Sequence, residues 1–161
     1  MTGSAVTEGA VVALCISDAK GTVKHPVPEA SLRAEHGIVG DAHASSWPRQ
    51  VSLLAAESIE RMRRVLPDLA HGAFAENVVT AGVDLARLAV GDRLRLGAEV
   101  VLEVTQIGKE CHHGCAIRQQ VGDCIMPREG IFCRVRMGGR LQVGDPIRVE
   151  TAGSAASQGK G

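Results

Sequence analysis

Residues 92–107, DRLRLGAEVVLEVTQI, carry the pattern that most directly predicts the fold. Apolar and polar residues alternate, the alternation breaks at Gly97-Ala98, and it then resumes. This is the pattern of two antiparallel strands joined by a tight turn. Residues 130–149, GIFCRVRMGGRLQVGDPIRV, show the same pattern and predict a second hairpin that turns at Gly138-Gly139. The second half of the chain therefore predicts a β-sheet.

A short repeat links these two regions. LAVGDRLRL at 88–96 and LQVGDPIRV at 141–149 share the pattern L-x-V-G-D-x-[LI]-R-[LV]. Two copies are too few for a repeat architecture. We interpret them as one corner geometry that a barrel uses twice, a Gly-Asp turn followed by a strand.

The first half of the chain predicts fewer regular elements. Residues 10–17, AVVALCIS, predict a buried strand, and residues 50–54, QVSLL, predict a second strand. Residues 55–66 have helical spacing and end before Pro67, so they predict one main helix. Residues 21–50 are rich in proline and glycine and predict a long loop. A strand or loop is expected around Val78 and Val79.

These elements together predict a mostly β protein, a small β-barrel with one main helix and long loops. The chain of 161 residues is the length of a single domain. We expect that domain to span residues 9–150, between a flexible tail at 1–8 and a disordered, low-complexity tail at 151–161.

Composition excludes several classes of function. Lys+Arg and Asp+Glu both number 18, aromatic residues make up 2%, and tyrosine is absent, so we expect no nucleic-acid partner. No apolar run reaches the roughly 18–20 residues that cross a bilayer, and the N-terminus lacks the basic region of a secretory signal. We therefore expect a cytoplasmic protein with no membrane partner, in which the five cysteines stay reduced.

Soft and nucleophilic side chains are concentrated in residues 108–124, GKECHHGCAIRQQVGDC. If CAIRQQV forms a short helix, Cys115 lies in its first turn, where unsatisfied N–H groups favour a thiolate. Nearby His112 and His113, with Lys109 and Arg118, would also lower the thiol pKa below the reference of about 8.5, whereas the charge of Glu110 would oppose them.

The residues alone leave three interpretations open. Cys111 and Cys115 have the spacing of a zinc ligand pair, which a histidine such as His113 or His43 would help to complete. A reactive thiolate would instead hold a sulfur atom as a persulfide or ligate molybdenum. The third interpretation, a small buried hydrophobe, suits Cys15 and Cys133 within strands.

Four ordered groups of motifs make the chain similar to the MOSC family, named for the molybdenum cofactor sulfurase C-terminal domain, and in particular to its short bacterial stand-alone members. The groups are GIVGDAHA with RQVSLLAAESIE, GAFAENVVT with LAVGDRL, GKECHHGCAI, and GDCIMPREGIFCRV with GGRLQVGDPI. The resemblance implies a β-barrel and a role in molybdenum cofactor metabolism.

The resemblance also implies roles for particular residues. Cys115, and second Cys111, would accept sulfur from a pyridoxal-phosphate-dependent cysteine desulfurase, a partner protein, and transfer it to the molybdenum cofactor or to a molybdoenzyme. The same cysteines would be the metal ligands if the chain were a small molybdenum-dependent reductase of N-hydroxylated compounds. That branch often carries an extra domain or extension, which the pattern of these 161 residues does not predict, so we expect the carrier role instead.

Five further residues are candidates for the same site. Asp41 and His43 of GDAH lie in a glycine-hinged loop, where His43 would orient or protonate a group beside the thiolate or else only pack locally. Arg49 would bind the phosphate of molybdopterin or a loop carboxylate. Glu76 and Asn77 would bond a pterin edge or hold a turn. The oligomeric state does not follow from the sequence.

Overall fold

The computed structural model describes residues 6–20, 22–108, 125 and 129–150, with side chains from residue 9 onward. Eleven strands and one α-helix lie within these ranges. The strands are β1 Val6–Ile16, β2 His25–Val27, β3 Glu29–Arg33, β4 Gly37–Ile38, β5 Val51–Ala55, β6 Val78–Ala81, β7 Arg93–Leu96, β8 Val100–Ile107, β9 Ile131–Met137, β10 Gly139–Gln142 and β11 Pro146–Glu150. The helix is α1, Ala56–Arg63, and a single 3-10 turn covers Leu85–Arg87.

Seven of the strands close into a barrel. Around the ring they follow the order β1, β6, β5, β9, β8, β7 and β11, and β11 pairs with β1 again. All of these pairs are antiparallel except β5 with β6. The predicted fold class, a small and mostly β barrel with one main helix, is confirmed.

The long strand β1 makes closure possible because it pairs with different partners along its length. Its first residues, Val6 to Ala10, pair with β11, and its last residues, Leu14 to Ile16, pair with the short edge strand β2. A register shift between Val11 and Ala13 bends it where it pairs with β6. β1 begins at Val6, three residues before residue 9, where the domain was expected to begin.

The hairpin predicted over residues 92–107 is confirmed. Strands β7 and β8 pair in register, with Leu94 opposite Leu102 and Leu96 opposite Val100. Both leucines of β7 are fully buried while its arginines are exposed, which is the alternation seen in the sequence. Gly97 has φ of +64°, the left-handed region that this tight connection requires.

The second predicted hairpin is wrong. β9 pairs with β8 and β5 in the barrel, whereas β10 pairs with β3 in a separate three-stranded sheet of β10, β3 and β4. A Cβ atom on Gly138 would lie 2.3 Å from the carbonyl oxygen of Leu32, so the chain crosses backbone to backbone there. The Gly138-Gly139 pair marks this close crossing rather than a hairpin turn.

The predicted loop over residues 21–50 is only partly a loop, because β2, β3 and β4 lie within it. Pro26 is tolerated in β2 since that strand pairs on one side only, with β1. Residues 39–50 are the part that has no regular structure.

The prediction that one corner geometry is used twice is confirmed. Asp92 accepts the backbone N–H of Ala89 through its carboxylate, and Asp145 accepts that of Gln142, both at 2.9 Å. The glycines before the two aspartates have φ of 100° and 97°. The strands that follow, β7 and β11, are antiparallel neighbours in which Arg95 lies opposite Arg148, its counterpart in the repeat.

The core has two parts. The larger part fills the barrel with aliphatic side chains such as Leu53, Leu94 and Leu102, all fully buried. The smaller part lies outside the barrel wall, where Ile59 of α1 belongs to a cluster with Phe74 and Phe132. Helix α1 ends at Arg63, a few residues before Pro67, and is shorter than the predicted segment 55–66.

We expect Asp145→Ala to lower the free energy of unfolding by about 1 kcal/mol, because the N–H of Gln142 loses its carboxylate acceptor. Urea unfolding measures the change. Asp84→Ala is the matched control, since Asp84 precedes the 3-10 turn without making a side-chain cap hydrogen bond. Equal unfolding midpoints for the two variants would contradict the role given to the corner.

Candidate functional site

The strands on either side of the cysteine- and histidine-rich segment show where it is attached to the barrel. Cys111, His112, His113 and Cys115 lie outside the described residues. The strand before them, β8, ends at Ile107, which pairs with Ile131 at the start of β9. The N–H of Gly108 donates to the carbonyl of Gly130 at 2.7 Å. The segment therefore leaves and rejoins the barrel at two neighbouring strands.

The loop that carries His43 and Arg49 is attached to the same two strands. The hydroxyl of Thr105 in β8 donates to the carbonyl of Pro48 and lies 3.1 Å from the carbonyl oxygen of Phe132 in β9. Thr105 precedes the end of β8 by two residues, a distance of roughly 7 Å along an extended strand. Loop 39–50 is thus held beside the point where the cysteine segment begins.

Three of the predicted site residues meet at one small hollow of about 20 Å³. Its lining residues are His43, Arg49, Ser52, Phe74, Ala75, Asn77 and Phe132. The strands β5 and β9 supply Ser52 and Phe132, which are paired in register. Asp41 and Glu76 do not line the hollow, and both are buried.

His43, which lines the hollow, joins a network with the buried residues Ser17, Lys24 and Asp41. The Nζ atom of Lys24 is 2.7 Å from Oδ1 of Asp41 and 3.1 Å from Oγ of Ser17. Both charged side chains are completely buried. Asp41 also accepts the backbone N–H groups of Ser17 and His43, so its carboxylate holds the end of β1 to loop 39–50.

The two charges of this pair stabilise one another. Burial raises the pKa of Asp41, but the hydrogen bond and charge of Lys24 and the two backbone N–H groups outweigh it and hold that pKa below its ordinary value. Burial lowers the pKa of Lys24, and the Asp41 carboxylate opposes that change. Asp41 is therefore a carboxylate at neutral pH, with Lys24 as its counter-ion.

His43 is fixed on several sides. Its Nδ1 lies 2.9 Å from Nζ of Lys24, and its backbone N–H donates to Asp41. Its ring stacks on that of Trp47, with centroids 6.2 Å apart and planes 7° from parallel. The indole N–H of Trp47 donates to the carbonyl of His43 at 2.7 Å.

Two cations lie on the same tryptophan. The ammonium of Lys20 is 4.4 Å from the ring centroid of Trp47, and the guanidinium carbon of Arg49 is 4.9 Å from it. Arg49 also lies 5.8 Å from the ring centroid of Phe132. We call Lys20, Trp47 and Arg49 the cation–aromatic cluster; two positive charges on a partly exposed ring form a surface suited to an anion.

Glu76 and Asn77 use their polar atoms within the protein. The Glu76 carboxylate accepts the N–H groups of Gly72 and Phe74, and burial raises its pKa. The Asn77 side chain accepts the N–H of Ser52 and donates to the carbonyl of Cys15 at 3.0 Å. These bonds hold the floor of the hollow, and cofactor contact by either residue stays a prediction.

The cysteines that the structure describes are packed and not reactive. Cys15 and Cys133 are completely buried. Burial, followed by the charge of Glu76, raises the pKa of Cys15 to about 12, and burial raises that of Cys133 well above its usual range. Their predicted role as small buried hydrophobes is confirmed.

A larger cavity of about 510 Å³ lies beside the ends of β8 and β9, where Ile107, Glu129 and Ile131 contribute to its wall. Its other charged wall residues are Glu57, Asp84 and Arg61, so carboxylates outnumber cations. Arg61 is already paired with Glu129. An anionic ligand fits this cavity less well than it fits the cation–aromatic cluster.

Sequence reasoning missed Lys20, Lys24 and Trp47. Lys24 is surrounded by proline and β-branched residues that gave no reason to expect a buried charge. Trp47 had a usable signal, because it is the only tryptophan of the chain and lies between two predicted site residues, His43 and Arg49.

Within the ranges that the structure describes, no group of three or more His, Cys, Asp or Glu side chains is placed to hold a metal ion.

The comparisons with known proteins agree with this architecture. The family model of the MOSC domain matches residues 40–148. The chain therefore belongs to the MOSC domain family, which is associated with molybdenum cofactor-related proteins. No curated protein matches the sequence. In the described part of the chain, no helix is long and apolar enough to span a membrane.

Solved structures share the fold at low sequence identity. The YuaD protein of Bacillus subtilis is 21% identical with a TM-score of 0.76, over 91% of this chain and 97% of that one. YiiM of Escherichia coli is 20% identical with a TM-score of 0.64, over 93% and 76%. YiiM of Geobacillus stearothermophilus is 18% identical with a TM-score of 0.68, over 91% and 78%.

We expect Asp41→Asn to lower the free energy of unfolding by about 3 kcal/mol at pH 7, because it leaves the buried Lys24 ammonium without its counter-charge. Adding Lys24→Met should recover part of this loss. Because the folded pKa of Asp41 is depressed, its stabilisation is present above the unfolded pKa of about 4 and is lost as pH falls through the folded value. In acid, the free energies of unfolding of the wild type and of Asp41→Asn should therefore become more alike.

Urea unfolding of the single and double variants across pH measures both effects. Glu29→Gln is the control, since Glu29 pairs with Arg140 at the surface, where water screens the charges. An Asp41→Asn variant that is as stable as Glu29→Gln would show that the buried pair does not hold the loop.

Proposed function

We propose that this protein carries sulfur to the molybdenum cofactor. In this proposal Cys115, or second Cys111, accepts the sulfur, and the cation–aromatic cluster binds the phosphate of the cofactor, which is the acceptor substrate. The observation that supports the proposal best is the attachment of loop 39–50 to Thr105 of β8, just before the cysteine segment. The cationic surface is then attached to β8 close to the point where the segment that carries the candidate thiols begins.

The loading step is an exchange between a thiolate and a persulfide. The thiolate sulfur of Cys115 attacks the terminal sulfur of a persulfide on the donor, a partner cysteine desulfurase. A new S–S bond forms on Cys115, the donor's S–S bond breaks, and the donor's cysteine leaves as a thiolate. Atoms and charge balance, and no external oxidant or reductant takes part.

The described residues suit the phosphate of the molybdenum cofactor but leave too little space for its pterin. Arg49 presents a planar fork of N–H donors and Lys20 a second charge, and these groups suit a phosphate. The hollow of about 20 Å³ is far below the roughly 300 Å³ of a small-molecule pocket. The proposal therefore assigns only phosphate binding to the described residues and leaves the pterin to lie outside the hollow.

The other two functions have less support. A zinc module would use His113 with the same Cys111 and Cys115 that the carrier function uses, so the cysteines do not separate the two functions. His43, its proposed further ligand, has Nδ1 within hydrogen-bond distance of Lys24. Reduction of N-hydroxylated compounds would use the same thiol and the same phosphate site, and no observation favours it over sulfur transfer.

We expect the protein to gain about 32 Da, one sulfur atom, when it is incubated with a cysteine desulfurase and cysteine. Intact-mass spectrometry before and after thiol treatment measures the adduct, which thiols should remove. The adduct should disappear in Cys115→Ser if that residue is the main acceptor, and in the double variant with Cys111→Ser in any case.

Cys15→Ala is the matched control, because the raised pKa and complete burial of Cys15 predict that the adduct persists without it. An adduct that survives the double serine variant would show that neither proposed thiol carries the sulfur. Failure of the wild type to gain sulfur would reject the carrier function.

We expect molybdenum cofactor binding to change the emission of Trp47, which is the only tryptophan in a chain without tyrosine. Arg49→Gln should weaken this binding by roughly 10- to 150-fold, since a charge-assisted hydrogen bond contributes about 1.5–3 kcal/mol. Fluorescence titration with the cofactor, and separately with inorganic phosphate, measures the affinity. Arg64→Gln, at an exposed position after α1, should bind like the wild type; equal affinity in Arg49→Gln would contradict phosphate binding at the cluster.

A further inference from the structure

The buried network determines how protons are distributed around His43. Lys24 Nζ has three neighbours within hydrogen-bond distance: Oδ1 of Asp41 at 2.7 Å, Nδ1 of His43 at 2.9 Å and Oγ of Ser17 at 3.1 Å. An ammonium group has three N–H donors and no acceptor. The number of neighbours equals the number of donors.

Two of these neighbours act only as acceptors. The Asp41 carboxylate is ionised, as its lowered pKa indicates. The Ser17 hydroxyl donates its own hydrogen to the carbonyl of Ala19 at 3.1 Å, so its oxygen accepts from Lys24. The third N–H of the ammonium then points to Nδ1 of His43, which must be unprotonated to accept it.

The competing arrangement places the shared proton on His43 and leaves Lys24 as a neutral amine. Electrostatics disfavour it, because the Asp41 carboxylate lies 2.7 Å from Lys24 Nζ but 3.9 Å from His43 Nδ1. A positive charge is more stable closer to the carboxylate, and burial strengthens that difference. Burial itself lowers the pKa of Lys24, and the hydrogen bond and charge of Asp41 are the largest effects that oppose it. Glu76 acts in the same direction as Asp41.

We propose that Lys24 is a positioning residue that holds His43 as the neutral Nε2–H tautomer. His43 then presents an N–H donor, and not a base, at its other ring nitrogen. Trp47 fixes the plane of the ring by stacking, and the Asp41 and Trp47 hydrogen bonds fix the backbone of His43. The sequence allowed His43 to orient or to protonate its neighbour, and the network assigns it the role of a donor that stabilises negative charge.

This role of His43 has a chemical consequence that rests on the proposed function. An N–H donor favours an anion beside it, either a cofactor phosphate oxygen or an ionised sulfur, over the neutral form of the same group. His43 would thus lower the cost of forming the anion without itself exchanging a proton. The tautomer is a property of the folded protein alone and does not depend on whether sulfur transfer occurs.

Long-range ¹H–¹⁵N correlation spectra of histidine-labelled protein at pH 7 test the assignment. The protein has six histidines, and the signals of His43 are those lost in His43→Gln. We expect a protonated Nε2 and an unprotonated Nδ1 in the wild type. A protonated Nδ1, as either the other tautomer or the imidazolium, would overturn the proposal.

The Lys24→Met variant, which removes the donor and keeps most of the length of the side chain, should lose the single-tautomer pattern. Lys20→Met is the matched control, since Lys20 contacts the Trp47 ring and is exposed; it should keep the wild-type pattern. A wild-type pattern retained in Lys24→Met would show that another group fixes the tautomer. If Lys24→Met does not fold, the wild-type spectrum still decides between the two tautomers.

A sulfur-loading measurement separates this inference from the proposed function. If His43 stabilises the anion, Lys24→Met should slow persulfide formation by about tenfold or more, as the loss of an oriented donor does in other sites. A wild type that shows the expected tautomer but gains no sulfur would reject the carrier function and leave the Lys24 assignment intact.

Discussion

The buried ion pair between Lys24 and Asp41 is the interaction on which the arrangement of the site depends. Removing two charges from water is costly, and it is tolerated only where each charge has a close partner and further hydrogen bonds. Asp41 meets that condition with an ammonium and two backbone N–H groups, and Lys24 meets it with three acceptors. Because these groups come from the end of β1, the approach to β2 and loop 39–50, satisfying the charges also brings three separate segments together.

The same constraint explains how an irregular loop presents an ordered surface. Residues 39–50 have no regular structure of their own, yet they are held at Asp41 by the ion pair and at Pro48 by Thr105. The ring of His43 stacks on Trp47, and the guanidinium of Arg49 lies over the same ring. Ser52 and Asn77, which also line the hollow, are joined by hydrogen bonds. The barrel thus acts as a rigid support, and the candidate anion-binding surface belongs to a loop fixed to it.

Regular alternation made much of the fold predictable from the sequence. The hairpin of β7 and β8 and the Gly-Asp corners were predicted because their signals are local: alternation with period two, and a turn residue at a fixed offset. The pairing of β10 with β3 was not predictable, since Gly138 indicates only that the backbone changes direction, and which strand it approaches is decided by residues more than 100 positions away.

The sequence predicted which residues belong to the site better than it predicted which side chains contact one another. His43, Arg49 and Asn77 were chosen as polar residues in loops or beside strands, and they do meet. Lys24 could not be chosen in the same way, because a lysine in a proline-rich stretch is normally exposed and only the fold reveals that Asp41 buries it. The roles of Cys111 and Cys115 remain inferences from the sequence and the family.

The strand pair that closes the barrel, β1 with β11, has a consequence for how the protein is made. The closing pair joins Val6 to Glu150, so the ring is completed by strands from opposite ends of the described chain. Until β11 has emerged from the ribosome, β1 and β7 each present an unpaired edge, and such edges recruit strands from other molecules. Synthesis of this barrel therefore passes through a long interval in which association with other chains competes with closure, and contacts so distant in sequence form slowly even after release.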